Sequence, residues 1–531
     1  MPANYEIIRH VFDGGWATDF GQMAEVGIDQ SGLVRVPFLA ENRNNNFNLD
    51  GGTHKIGGTT RMNSTAAGHT PGDEVVGLYD YWKGTGGGSG AQKLVVHSGT
   101  VVQAADMDGN FSNIDTGLVD GVVPSYTTFD DLLIVSASTN TDVPAKYDQS
   151  SYDDLPDNGP DSTVPNFAFS EVHKNRLWAA GVTTLPSRLY YSAHVDPETW
   201  SGDSTGFIDI DPNDGDQITG LASHKDQLWV FKGPYKGSIH RIVGSAPTGG
   251  DSFGRQTFVR GIGASWHNAI FRFKDDIGFM WSDGSIHSLN ATSAYGDFNE
   301  ASLSRPINTW LRDHINGNRI KYVWAATDSV RGYVLFTIPI DSNTNNNHHL
   351  LMDYRFDPPR WAHWDAFTSG CVATVVDSGI PTLFDGSNDG YVRRLQQSAK
   401  SIDTLGAINS VTTMPFLNYG LPARKKVLSR AFVGVTPGGN YNMTLSWTRD
   451  NSATQTKDMG QGGSGALLNE FELDVDVLGG SEYMDRFTSL DDGGRFRSMS
   501  MGVSNAVAGE DLQIHNIGAV IERGTDDWEN A

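Results

Sequence analysis

Residues Asp209 to Gly233 read DIDPNDGDQITGLASHKDQLWVFKG. The opening residues crowd carboxylate and amide oxygens around a glycine, as a calcium loop does. The remainder reads as short strands on either side of a polar Lys-Asp-Gln turn. Which reading decides the stretch depends on recurrence, and the turn recurs. Phe129-Asp-Asp-Leu-Leu-Ile-Val135, His173-Lys-Asn-Arg-Leu-Trp-Ala179, His224-Lys-Asp-Gln-Leu-Trp-Val230 and Phe273-Lys-Asp-Asp-Ile-Gly-Phe279 share one pattern. Each has an aromatic residue or His, a polar turn of three residues, and an apolar strand. Successive copies lie 44, 51 and 49 residues apart. A period of this length with several strands per copy predicts a β-propeller, because a single blade leaves both faces uncovered and needs neighbours to bury them.

Further blades are expected on both sides of these four copies. Upstream is Val75 to Gly109; downstream are Tyr322 to Trp364 and Cys371 to Leu395. The expectation is an all-β fold whose residues 71–398 form a propeller of about seven blades. Ser304 to Ile315 breaks the β pattern: a Ser cap, Pro306, and apolar Ile307, Trp310, Leu311 and Ile315 predict one amphipathic helix between blades. Residues 1–70, rich in Gly and Asn, predict an N-terminal extension of strands and turns. Residues 399–531 predict about six strands of β-sandwich spacing, among them KKVLSRAFVGVTP, LLNEFELDVDVLG and LQIHNIGAVIERG.

Composition agrees with a turn-rich β protein: 61 Gly and 13 Trp, with only 19% charged residues. The one cysteine, Cys371, excludes a disulfide within the chain and reads as a small buried strand residue. No apolar run approaches the roughly 20 residues of a membrane span, and the N-terminal residues carry no cleavage pattern. A soluble protein made in a cytoplasm is expected. The net charge of −24 disfavours adhesive binding of nucleic acid through its phosphates.

The chemistry-bearing motifs are near misses. The candidate calcium ligands are Asp209, Asp211, Asn213 and Asp214. Counted as an EF-hand loop, however, Asp214 stands where the turn needs Gly, and Gly220 where the metal needs a chelating Glu. Ser192 to Trp200 (SAHVDPETW) approaches a sialidase Asp-box without its Gly. The Gly-Gly-Ser-Gly-Ala runs at Ser89 and Ser464 miss the last position of a Gly-x-Ser-x-Gly elbow, and His348-His349 lacks a spaced partner. No catalytic residue, cofactor or metal is therefore expected. Arg424, Lys425, Lys426, Arg430, Arg495 and Arg497 stand out in an acidic chain, either as a solvated strand edge or as a docking surface for an acidic partner.

Taken together, Phe12 to Gly15 (FDGG), Asp50 to Thr59, Ser187 to Trp200 (SRLYYSAHVDPETW) and Gly215 to Lys232 (GDQITGLASHKDQLWVFK) resemble the β-propeller hub or nozzle proteins of short-tailed bacteriophages. The resemblance spans most of the chain and is densest over residues 165–290. It implies a structural virion protein of the tail rather than an enzyme. Such a protein forms a ring, usually sixfold, below the portal and adaptor, extends the DNA channel, and carries fibres or spikes. Double-stranded DNA would pass through it without specific binding, along a wall of acidic and neutral side chains. The alternative is a propeller-based receptor-binding tail protein or polysaccharide depolymerase.

Overall fold

The computed structural model describes residues 5–12, 14–19, 27–28, 33–36, 38–49, 51–64, 73–85, 88–138, 142–155, 165–295, 302–403, 406–419, 424–450, 452–461, 483–490 and 494–526. The expected strand LLNEFELDVDVLG and the run at Ser464 lie outside them. The chain divides into two compact units, each discontinuous in sequence. The first comprises Met1–Thr60, Leu350–Phe367 and Gln396–Ala531, and the second Arg61–His349 and Thr368–Leu395. The sequence suggests three consecutive segments instead; the N-terminal segment and the C-terminal domain belong to the same unit.

The second unit is the propeller. Sheet I consists of Val75–Thr85, Gly88–Ser98, Val101–Ala105 and Ser112–Thr116. Sheet II consists of Pro124–Phe129, Leu132–Ala137, Ala145–Tyr147 and Tyr152–Asp154. Sheet III has Phe169–His173, Arg176–Ala180, Arg188–Tyr191 and Gly206–Asp209, and sheet IV has Gln217–His224, Gln227–Gly233, Ser238–Val243 and Gly254–Arg260. Sheet V has three strands, Ile270–Phe273, Asp276–Met280 and Ile286–Ser288. Sheet VI starts with Trp324–Asp328, Tyr333–Ile338 and His348–Asp353, and sheet VII with Ser369–Asp377, Ile380–Ser387 and Val392–Gln397. Six blades are counted, against about seven expected; sheets I to V are sheets of their own, whereas sheet VII is the head of a six-stranded sheet and sheet VI the head of a nine-stranded one. Its first strand nonetheless takes its place in the ring, between Ile270–Phe273 and Ser369–Asp377.

The recurring turn of the sequence is the hairpin joining the first two strands of sheets II to V. It is shorter than the sequence suggests: two residues, not three. Phe129 pairs with Leu132, His173 with Arg176, His224 with Gln227, and Phe273 with Asp276. In sheets II, III and IV both turn residues have positive φ: Asp130 and Asp131 at 46° and 66°, Lys174 and Asn175 at 49° and 54°, Lys225 and Asp226 at 49° and 58°. Two left-handed residues in succession match the right-handed twist of the paired strands.

Alternation along each second strand explains the core. All of Arg176–Ala180 is buried. Leu177 and Ala179 pack with Phe129 and Ile134 of sheet II, while Trp178 and Ala180 pack with Ile218, Leu228 and Val230 of sheet IV. Successive side chains leave opposite faces of a strand, so one apolar run supplies two interfaces. Removing Trp178 from water at such a seam contributes about 1.5–3 kcal/mol or more. The ring closes where sheet VII meets sheet I. The approach there is so tight that a Cβ on Gly386 would come within 2.3 Å of Val75 Cγ1.

The helix expected at Ser304 to Ile315 is present as a 3-10 turn, Arg305–Ile307, followed by the α-helix Asn308–His314. Ser304 does not cap it; its Oγ accepts the Ile286 N–H at 2.8 Å. A second short helix, Leu289–Tyr295, carries no signal in the sequence reading.

The first unit is built as a sandwich. In one layer Tyr5–Phe12 pairs antiparallel with Gln513–Asp526, which pairs with Arg424–Thr436, followed by Met484–Ser489. In the other layer Glu41–Arg43, Ser410–Thr413, Met499–Asn505, Asn442–Arg449 and Gln455–Gly460 are consecutive neighbours. Ile8, Phe12, Leu428, Val433, Ile517 and Ile521 of the first layer share one core with Met443, Leu445, Met499, Met501 and Val503 of the second. The sandwich expected of residues 399–531 alone thus takes a strand from the N-terminal segment into each layer, Tyr5–Phe12 in one and Glu41–Arg43 in the other.

Candidate functional site

The candidate calcium loop is occupied by the protein's own cation. The Lys232 side chain, 0% exposed, reaches back from the second strand of sheet IV. Its Nζ donates to Ile210 O at 2.7 Å, Asp211 O at 2.9 Å and Asp214 Oδ2 at 2.8 Å, with Ser187 Oγ at 3.3 Å. These oxygens surround an ammonium much as they would a metal. The other carboxylates face away from a shared centre. Asp209 pairs with Arg188 Nε at 2.9 Å. Asp211 pairs with Arg255 and, at 2.8 Å, with Arg260. Burial pushes the Asp211 carboxyl upward, but these two guanidiniums outweigh it and hold the group below the ordinary carboxylate range. Asn213 is exposed, with φ at 67°. At Gly220, where an EF-hand would need Glu, a Cβ would lie 2.3 Å from Ile270 Cδ1. Among the described residues no group of three His, Cys, Asp or Glu is placed to hold a metal.

The basic cluster divides. Lys426, on Arg424–Thr436, is 0% exposed, and its Nζ donates to Arg424 O at 3.0 Å and Arg497 O at 2.9 Å. Burial lowers its pKa to about 8. It ties strands within the sandwich and cannot face a partner. Arg430, Arg495 and Arg497 are exposed, while Arg424 and Lys425 are half-buried; Arg430 lies on an interior strand, paired with Ser489 on one side and Val520 on the other.

The propeller axis holds a cavity of about 400 Å³, lined by the first strands of sheets I, II, V, VI and VII and including Tyr79, Asp80, Tyr126, His267, Arg272 and Thr327. Around it runs a closed girdle of hydrogen bonds between sheets. Tyr79 Oη and Thr128 Oγ1 join I to II at 3.0 Å, and Thr127 Oγ1 donates to Ser170 O of III at 2.8 Å. Glu171 of III accepts the Ser223 N–H of IV at 3.3 Å. The Leu221 N–H of IV donates to Nδ1 of His267, in the turn before sheet V, at 3.3 Å. Thr327 Oγ1 of VI donates to Arg272 O of V at 2.7 Å, and Thr374 Oγ1 of VII donates to Thr327 O at 2.8 Å. The Val376 N–H of VII donates to Asp80 Oδ2 of sheet I at 2.8 Å, completing the circle.

Two groups at this ring are strongly shifted. Desolvation raises the Glu171 carboxyl to about 7, against the opposing pull of Arg272, whose guanidinium lies 3.0 Å away. Burial lowers His267 to about 4, so its ring is neutral at pH 7 and free to accept from Leu221. A carboxyl titrating near neutrality is suited to proton transfer. Here, however, Glu171 is bound to a backbone N–H and a guanidinium, and both Asp80 oxygens are taken, one by Gln92 Nε2 at 2.7 Å and the other by Val376. The polar wall joins sheets. No residue of this girdle other than Leu221 and Ser223 lies in the stretch that decides the fold; the signal that could have found the rest is the polar residue at matching places in successive first strands.

No known family profile and no curated protein matches the chain. Among solved structures, Raptor from Chaetomium thermophilum is similar over 64% of this chain and 29% of that chain, with 11% identity and a TM-score of 0.38. The WD40 β-propeller domain of Doa1 is similar over 65% of this chain and 98% of that one, with 11% identity and a TM-score of 0.37. The chain spans less than a third of the length of the Raptor structure.

The remaining motifs are structural where they are described. In the Asp-box-like segment, Asp196 Oδ1 accepts the N–H groups of Glu198 and Thr199 at 2.9 and 3.2 Å, and Trp200 is fully buried. His349 Nε2 lies 2.9 Å from Ser369 Oγ, which donates to Asp385 at 2.6 Å, but all three side chains are sealed from solvent. Cys371 is buried, and burial pushes its thiol well up. Among the described residues no helix is long and apolar enough to cross a membrane.

Proposed function

We propose that the chain is a structural component of a short-tailed phage tail, of the hub or nozzle kind, assembled in the virion as a ring of identical copies. The portal and adaptor lie above the ring, and fibres or spikes attach to it. What carries this reading is the resemblance of Ser187 to Trp200 and Gly215 to Lys232, segments in which Ser187 and Lys232 join sheets III and IV while Asp196 and Asp216 fix turns. Scaffolding, not turnover, is what such residues do. A cavity of 400 Å³ on the propeller axis does not admit a duplex, so a DNA passage would have to be enclosed between copies. The net charge of −24 suits a wall along which DNA slides, because each phosphate neutralised by a fixed cation would hold the genome back.

Electron microscopy of the purified protein and of virions tests the proposal. The expected result is a closed ring coaxial with the DNA, its bore poor in Lys and Arg. A peripheral trimer, or a monomer that degrades polysaccharide, would instead establish the receptor-binding or depolymerase alternative.

A further inference from the structure

We propose that the propeller carries a saccharide-binding cleft between sheets III and IV, formed by the stretch that decides the fold together with the turn that follows it. The cleft has a volume of about 420 Å³, and its lining includes Thr183, Ser187, Asn213, Asp216, Gln217 and Tyr235. Three observations favour a neutral sugar. First, Tyr235 is 79% exposed, an aromatic face left to solvent at the rim of a concavity. Such a face takes the C–H face of a pyranose, and its hydroxyl serves the polar edge.

Second, the walls are rigid before any ligand arrives. The Asp216 carboxylate, 4% exposed, accepts the N–H groups of Tyr235 and Lys236 at 2.9 Å and of Gly237 at 2.8 Å, which fixes the turn bearing Tyr235. The opposite wall, bearing Asn213, is fixed by Lys232 through Ile210 O, Asp211 O and Asp214. Preorganisation of this kind lowers the ordering cost that otherwise weakens sugar binding.

Third, the polar groups match hydroxyls rather than phosphates. The amides of Asn213 and Gln217 and the hydroxyls of Thr183 and Tyr235 make no side-chain hydrogen bond among the described residues, and an amide offers donor and acceptor together, as vicinal hydroxyls require. Nearby cations are committed. Lys232 is sealed, and Lys236 Nζ donates to Asp214 O at 2.7 Å.

The test uses the full chain and a panel of neutral oligosaccharides of glucose, galactose, mannose and N-acetylglucosamine. Binding is read by saturation-transfer NMR and calorimetry. At least one is expected to bind. Tyr235→Ala should weaken that binding about tenfold or more, whereas Tyr235→Trp should retain it; both variants should melt with the wild type because the side chain is exposed. Absence of binding across the panel at millimolar concentrations would overturn the proposal. So would wild-type affinity in Tyr235→Ala, or a preference for phosphorylated sugars. Ring assembly seen by microscopy is unaffected by Tyr235→Ala, so the two proposals fail separately.

Discussion

Lys232 shows how a single residue can decide between two readings of the same stretch. Oxygens of Ile210, Asp211 and Asp214 do form a cation site, but its cation arrives covalently from the second strand of sheet IV. An ammonium with no exposure is stable only while its oxygen partners remain. Lys232→Met should therefore leave Asp214 and two carbonyls facing an apolar side chain and cost about 3–5 kcal/mol, the usual price of breaking a buried pair. Urea unfolding followed by tryptophan fluorescence measures this. A loss below 1 kcal/mol would mean that the ammonium only balances its own desolvation. The sequence displayed the oxygens but not their partner, because Lys232 in VFKG reads as an ordinary strand-end lysine.

At the scale of elements, the two-residue hairpins and the girdle divide the work. The hairpins were legible because their composition repeats and because Asp, Asn and Lys at two successive left-handed positions mark one turn geometry. The girdle was not, since its members differ chemically from sheet to sheet: Tyr, Thr, Glu, His and Asp all perform the same joining role. Its most exacting link is the seam of sheets VII and I, where residues nearly three hundred positions apart meet. Asp80→Ala strands the Val376 N–H, while Gln92 Nε2 keeps its bond to Val376 O, and should cost about 1–3 kcal/mol. Amide exchange should quicken along Val75–Thr85 and Ser369–Asp377 in particular. Thr127→Val, which removes an interior link, should leave Ser369–Asp377 protected. Equal exchange in the two variants would show that the seam has no special weight.

For the whole molecule, burial of titrating groups sets a pH window. Burial pushes His10 down to about 3, and is the main cause holding His97, His173, His240, His267 and His287 at about 4. A neutral imidazole in the fold against one titrating near 6.5 in the unfolded chain stabilises fully above pH 6.5; that contribution is lost as pH falls towards 4. Glu171 and Glu74, both raised to about 7 mainly by burial, act in the opposite sense. Their protonated forms stabilise the fold below about pH 4.5, and the benefit is lost as pH rises through 7. The melting temperature should consequently fall steeply on acidification from pH 6.5 to 4.5. Glu171→Gln cannot ionise, so its melting temperature should rise relative to the wild type between pH 5 and 8. A constant difference over that range would mean that Glu171 titrates normally.

The sequence by itself determined the all-β class, the propeller and its period, because a two-residue turn and an alternating strand are local devices that must recur if blades are to cover one another. It also determined that a sandwich occupies the C-terminal part. Only the tertiary structure decided that the sandwich takes Tyr5–Phe12 from the opposite end of the chain and that one blade sheet is the head of a nine-stranded sheet. It alone decided that Lys232 fills the apparent calcium loop and that Lys426, one of the basic cluster, is interior. Each of these depends on residues of different strands or loops being brought together, and a local pattern of side chains carries no record of a partner on another element.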